Sequence, residues 1–143
     1  MPSSAGTYAI VMRAQDRQQL QIGRLGGVQL SKGWYVYVGS AFGPGGLAAR
    51  VSRHLRCHKT RHWHIDHLIW ATTVREVWYS QRQRDLEHCW AQAALDQPAA
   101  QNLLRGFGAS DCQCLSHLVR FPTREAVKTL FNALEAKVWI PQL

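Results

Sequence analysis

Two tyrosines, an arginine and a histidine stand in an order that suits chemistry on an oxyanion. Tyr8 closes the tripeptide Gly6-Thr7-Tyr8, and Tyr37 opens Tyr37-Val38-Gly39. Arg50 and His54 follow four residues apart, which sets them on one face of a helix. A guanidinium grips anionic oxygens with paired N–H donors, an imidazole accepts or relays a proton near neutral pH, and phenols orient water or phosphate by hydrogen bonding. Each piece alone has an ordinary explanation. A tyrosine in an alternating strand is commonly packing, and an arginine at a helix border is commonly a solvated charge. The ordered set carries the signal.

These groups need elements to hold them. Thr7–Met12 reads as a strand, followed by a polar turn. Leu20–Ile22 and Val28–Leu30 flank Gly23-Arg24-Leu25-Gly26-Gly27 and predict a small hairpin. Trp34–Val38 is the strongest strand in the chain; its alternation puts Trp34, Val36 and Val38 on one face and the two tyrosines on the other. A Gly-rich loop, Gly39–Gly46, leads into a helix near Leu47–Arg56, with Leu47, Val51 and Leu55 as its apolar stripe and Arg50 and His54 at the border. Arg61–Trp70 predicts a short helix, Val74–Tyr79 a strand, and Asp85–Leu95 a helix turning Leu86, Trp90, Ala93 and Ala94 inward. Beyond the turn Gly106-Phe107-Gly108, Leu115–Phe121 predicts a strand. A last helix starts from Thr123 as N-cap and buries Val127, Leu130, Phe131 and Leu134. Strands and helices mix without strict βαβ alternation. The expected fold class is therefore α/β, a compact sandwich with a small, partly antiparallel sheet flanked by helices.

The 143 residues are enough for one domain with a real core. Seventeen Lys and Arg against nine acids give a formal charge of +8, and the excess is mostly arginine, since lysine stands only at 32, 59, 128 and 137. An Arg-rich basic domain favours a nucleic-acid partner; the alternative is a soluble basic surface with no such partner. Met1–Ala5 lacks a charged region followed by an apolar core, so no signal peptide is expected. No apolar run approaches membrane-spanning length. Four scattered cysteines point to free thiols in a reducing cytoplasm.

The ordered set Gly6-Thr7-Tyr8, Tyr37-Val38-Gly39 and Arg50-Val51-Ser52-Arg53-His54 resembles the GIY-YIG nuclease superfamily. The resemblance covers roughly residues 6 to 95. The remainder, about 96–143, including Phe107–Cys114 and Leu115-Ser116-His117-Leu118, together with Trp63–Leu68, resembles a branch of small stand-alone domains related to ones fused to endonuclease III-type glycosylases in archaea. Thr7 and Val38 replace the isoleucines of the motif, at a position expected to face the core. The wider gap between the tripeptides is accounted for by the hairpin. The resemblance implies metal-dependent hydrolysis of DNA phosphodiester bonds. Tyr8 would take the proton of the attacking water, as a phenol whose pKa falls near the bound cation and basic side chains. Tyr37 would orient water or phosphate, Arg50 would supply bidentate positive charge, and His54 would bind phosphate or relay a proton. The family's metal-holding glutamate matches Glu87, at the start of the predicted Asp85–Leu95 helix, with Mg²⁺ or Mn²⁺ as the ion.

Arg53, Arg56, Lys59, Arg61 and His64 are the candidates for tracking DNA phosphates. Trp63, Trp70 and Trp78 are candidates for base stacking, against core packing as the plainer reading. Two rivals stand beside the nuclease. One is a binding or repair-accessory module of the same fold with little cleavage. The other adds zinc, through Cys112, Cys114 and His117 with Cys57 or Cys89 as fourth ligand, although their spacing is not that of common zinc sites. His64 and Asp66 suit either DNA placement or tying the short helix to a neighbour.

Overall fold

The computed structural model describes residues 1–22, 26–56, 64–101 and 116–142. It is mixed α/β. Strands β1 (Gly6–Ala14), β2 (Gln18–Ile22), β3 (Gly26–Leu30) and β4 (Gly33–Ala41) are followed by helices α1 (Gly46–Leu55) and α2 (His64–Ala71). Then come β5 (Thr73–Ser80), α3 (Glu87–Leu95), β6 (Leu118–Phe121), α4 (Arg124–Leu134) and β7 (Lys137–Trp139). Five strands form one sheet in the order β6-β4-β1-β5-β7, and β2 pairs with β3 in a separate hairpin. Every described strand pairing is antiparallel, which extends the expected partly antiparallel sheet to a fully antiparallel one.

β1 is the central strand, and Ala9, Ile10, Val11 and Met12 are each 0% exposed. Both faces of the sheet are covered, so this strand reads as a continuous apolar run rather than an alternation. Tyr8, Ile10 and Met12 pack with Leu47, Val51, Ile65 and Leu68 of α1 and α2. Ala9 and Val11 pack on the other side with Trp78 of β5 and with Trp90, Val127 and Leu130 of α3 and α4. In β4 the expected alternation holds: Trp34, Val36 and Val38 join the α3/α4 side, and Tyr35 and Tyr37 the α1/α2 side.

The last third of the chain contributes strands to the same sheet. β6 pairs with β4 and β7 with β5, so this stretch supplies both edges of the sheet. Thr123 caps α4 as expected, its Oγ1 accepting from the Ala126 N–H at 3.2 Å. The helix stops at Glu135, a non-glycine residue in the left-handed region with φ 54°. With no glycine to mark the stop, β7 has no signature in the sequence.

Candidate active site

The glycines of both tripeptides are required by steric fit. Tyr8 lies opposite Gly39 across the β1–β4 ladder, and a Cβ on Gly39 would run into the phenol ring and hydroxyl of Tyr8. A Cβ on Gly6 would meet the Ser80 carbonyl oxygen of β5 and the Leu47 side chain of α1. The first glycine lets α1 approach the sheet, and the second leaves room for the first tyrosine. The middle residues, Thr7 and Val38, are each 1% exposed and face the core as expected.

Within that space Tyr8 Oη sits 2.6 Å from His54 Nε2, a buried contact between residues 46 positions apart. Tyr37 presents its ring to the same imidazole, with centroids 6.2 Å apart at 76°. His54 is 1% exposed, so it lies well inside the helix border the sequence indicates. On its far side the Asp66 Oδ1 is 4.0 Å from His54 Nδ1. Asp66, itself fully buried, accepts two hydrogen bonds from Arg53, at 3.0 and 3.2 Å. This fork joins α1 to α2, so Asp66 does tie the short helix to a neighbour. Arg53, expected on the DNA surface, has its guanidinium engaged there.

Arg50, one turn before His54, lines a cavity of about 140 Å³ with Ala41, Gly43, Pro44, Gly46, Ala49 and Arg53. The head of α1 next to it is closed by the chain's own start. The Leu47 and Ala48 N–H groups donate to the carbonyls of Ser4 and Pro2, at 2.9 and 2.8 Å. Two amides that a helix start would offer an anion are therefore taken, and Arg50 supplies the positive charge.

Glu87 is the first residue of α3. Thr7, in the middle of the first tripeptide, holds that helix in place, its Oγ1 accepting from the Leu86 N–H at 2.9 Å. Asp85 Oδ1 accepts from the Glu87 N–H at 2.9 Å, and His117 Nδ1 lies 3.7 Å from Glu87 Oε1. Burial, with the Asp85 charge second, raises the Glu87 carboxyl above the usual range; His88 and hydrogen bonds from Ser40 pull it back. Burial lowers the pKa of His117, assisted by His88.

Both phenols are raised. Burial pushes Tyr8 well above its ordinary range, Tyr37 adds to the rise, and Arg50 opposes it. Tyr37 is raised by burial and then by Glu87, again against Arg50. Among the protein's own groups, burial thus outweighs the cationic side chains expected to lower the Tyr8 pKa. Desolvating a phenolate in this packed corner outweighs the favourable guanidinium, and Tyr8 rests as the neutral phenol.

Among the described residues no three carboxylate, imidazole or thiol groups converge to form a closed metal site. The donor set still fits a hard divalent cation that keeps most of its water shell and takes one carboxylate from the protein. The Glu87 side chain is 21% exposed, and burial leaves its anion short of stabilisation.

The structure thus brings Tyr8, Tyr37, Arg50 and His54 into one neighbourhood, with Glu87 within electrostatic reach of both phenols. Arg56 is exposed at the end of α1. Lys59, Arg61, Trp63, the His64 side chain, Cys57, Cys112 and Cys114 lie outside the described residues. His117 stands beside Glu87, and Cys89 is an exposed free thiol on α3. Trp78 is core, at 1% exposed, while Trp70 is 67% exposed. The sequence reading missed the placement of Thr7, Ser40 and His117 around Glu87, because those partners are 80, 47 and 30 positions away and no local spacing links them.

No helix among the described residues is long and apolar enough to cross a membrane. No curated protein and no solved structure matches the chain. A family model does match, over residues 7–139, from β1 through β7, and so the chain belongs to the family described as domain of unknown function DUF123.

Proposed function

We propose that the protein is a metal-dependent endonuclease of the GIY-YIG type, hydrolysing DNA phosphodiester bonds in the cytoplasm. The observation that carries this reading is the buried 2.6 Å contact between Tyr8 Oη and His54 Nε2, with Arg50 one helical turn away. A phenol with a raised pKa is a poor base alone, but it conducts a proton well when an acceptor is already in place. Tyr8 donates to His54 Nε2, which leaves the imidazole proton on Nδ1, the nitrogen facing Asp66. As water attacks phosphorus, its proton passes to Tyr8 Oη and the Tyr8 proton passes to His54. The Asp66 carboxylate, held by Arg53, stabilises the imidazolium that forms. Arg50 neutralises charge on the non-bridging oxygens, and Tyr37 orients the water or the phosphate. Glu87 would hold Mg²⁺ or Mn²⁺, whose charge, when bound, polarises the phosphate and favours the leaving oxygen.

The test is cleavage of end-labelled single-stranded, duplex, flapped and branched DNA in Mg²⁺, Mn²⁺ or EDTA, with Tyr8→Phe and Glu87→Ala purified alongside. The expected result is metal-dependent cutting that both variants lose by about 100-fold or more, in line with removal of a group acting in the transition state. Cutting that survives Glu87→Ala removes that residue from metal binding. Binding without cutting on every substrate replaces the nuclease with a binding or repair-accessory module of the same fold.

A further inference from the structure

At the end of the sheet away from Tyr8, three arginines gather over one indole. Trp34, the second residue of β4, is in register with Arg13 of β1. Its partner on β6 is Phe121, three residues before Arg124 at the head of α4. Arg75 comes from β5. The guanidinium carbons of Arg13, Arg124 and Arg75 lie 5.2, 5.5 and 5.9 Å from the centroid of the Trp34 ring. Trp34 is 7% exposed, so its indole is a platform beneath cations and not an open stacking surface.

Beside this platform lies a cavity of about 470 Å³ lined by Arg13, Gln15, Asp16, Lys32, Trp34 and Arg75. Asp16 is the acid in that described lining. Among the described residues none of the three guanidiniums forms an ion pair or a side-chain hydrogen bond; the ion pairs of Arg53 and Arg82 lie elsewhere. Three like charges held over one ring repel one another, and among the described residues no carboxylate binds their N–H forks. An anion with several oxygens relieves the repulsion and fills the forks at once.

We propose that this cluster is a second phosphate-binding site, distinct from the Arg50 site, which grips the sugar–phosphate backbone of a nucleic-acid strand. The choice of partner rests on the nuclease reading above. Along β4, Trp34 and Gly39 are separated by roughly 17 Å at the rise of an antiparallel strand. Trp34 faces the α3/α4 side of the sheet and Tyr8 and Tyr37 the α1/α2 side, so the cluster would meet phosphates outside the stretch held at the Arg50 site. Arg13, Arg75 and Arg124 come from three separate elements, which suits successive phosphates better than one compact ion.

Equilibrium binding of a labelled DNA duplex, followed by anisotropy across a salt series in EDTA so that nothing is cut, tests this. The proteins compared are wild type, Arg75→Gln, Arg124→Gln and the triple variant Arg13→Gln/Arg75→Gln/Arg124→Gln. Each single change, at an exposed side chain that leaves the core untouched, is expected to reduce the magnitude of the slope of log K against log salt by about one. The triple variant is expected to reduce it by two to three, with binding at least about tenfold weaker. Single-variant slopes equal to wild type overturn the site while the nucleic-acid reading stands. If wild type binds no DNA, the backbone assignment and the nuclease reading fall together. Inorganic tripolyphosphate, added in a parallel tryptophan-fluorescence titration, separates the sources. Saturation that Arg75→Gln abolishes, without DNA binding, gives the same cluster to a free phosphate ligand and overturns the nucleic-acid assignment.

Discussion

The two ends of the central sheet treat positive charge in opposite ways. At the Tyr8 end, Arg53 is committed to the buried Asp66 through two hydrogen bonds, and the titratable groups are packed among core residues. At the Trp34 end, three guanidiniums crowd a single indole, and among the described residues none is ion-paired. An arginine bound to a buried acid is structural first, because the fold is costly to maintain without it. An arginine resting on an aromatic face keeps its donors for something outside the protein. Net charge alone, +8 for the chain, does not distinguish these uses.

The sharpest way to break this comparison is to remove one charge from each end and melt the products. Asp66→Ala leaves Arg53, whose side chain is 20% exposed, facing a space where a carboxylate was. Removing one member of a buried pair costs about 3 kcal/mol, or a fall in Tm of roughly 10 °C for a domain of this size. Arg75→Gln, at an exposed position, is expected to stay within about 0.5 kcal/mol of wild type, on the stabilising side because it relieves repulsion. Calorimetry or a circular-dichroism melt reads both. Equal losses at the two ends would mean that the arginines over Trp34 are also structural, and would remove the basis for a second phosphate site.

The two ends differ equally in how far they can be read from sequence. The tripeptides and the alternation of β4 are local patterns, and each lands where the pattern puts it, while His54 lies deeper than its border position indicates. Even the reason for the glycines is half-visible, since a glycine inside a strand marks close approach; what approaches, Tyr8 at Gly39 and Leu47 at Gly6, is not. The arginine cluster has no local trace. Arg13, Arg75 and Arg124 span more than a hundred positions and meet only because β1, β4 and β5 are neighbours and β6 brings α4 across them. The depth of Tyr8 is hidden for a related reason: sequence shows the basic side chains nearby but not the burial that outweighs them.

Thr7 supplies a test of intermediate size. The family motif that the chain resembles has isoleucine here, and in this chain a buried hydroxyl accepts from the Leu86 N–H immediately before Glu87. Thr7→Val keeps the shape and leaves that donor without its acceptor. A loss of about 1 kcal/mol follows, together with a several-fold drop in kcat as Glu87 loses its fixed position. KM for DNA is expected to hold, because Arg50 and the arginines over Trp34 are untouched. A variant that loses stability but keeps kcat would limit Thr7 to holding the helix.

The smallest effect concerns Glu87 and carries a definite sign. Its folded-state pKa is raised, by burial first and by Asp85 second. A carboxyl raised in this way contributes stability while it is protonated, below its unfolded pKa, and that contribution is lost as pH rises through the higher folded value. At neutral pH the ionised Glu87 therefore opposes folding, and Glu87→Gln should raise Tm by about two degrees, within the range of partly exposed substitutions. The difference should close as pH falls below the unfolded carboxyl value, where Glu87 is neutral in both states. His117, whose pKa is lowered by burial, destabilises both proteins in acid and largely cancels in the comparison. Mg²⁺ should raise the Tm of wild type and not of Glu87→Gln, because a bound cation favours the ionised carboxylate that burial opposes. A Gln variant that melts earlier than wild type at neutral pH, with no metal present, would mean that Glu87 holds the fold together through Ser40 and His117 and is not kept ready for an ion.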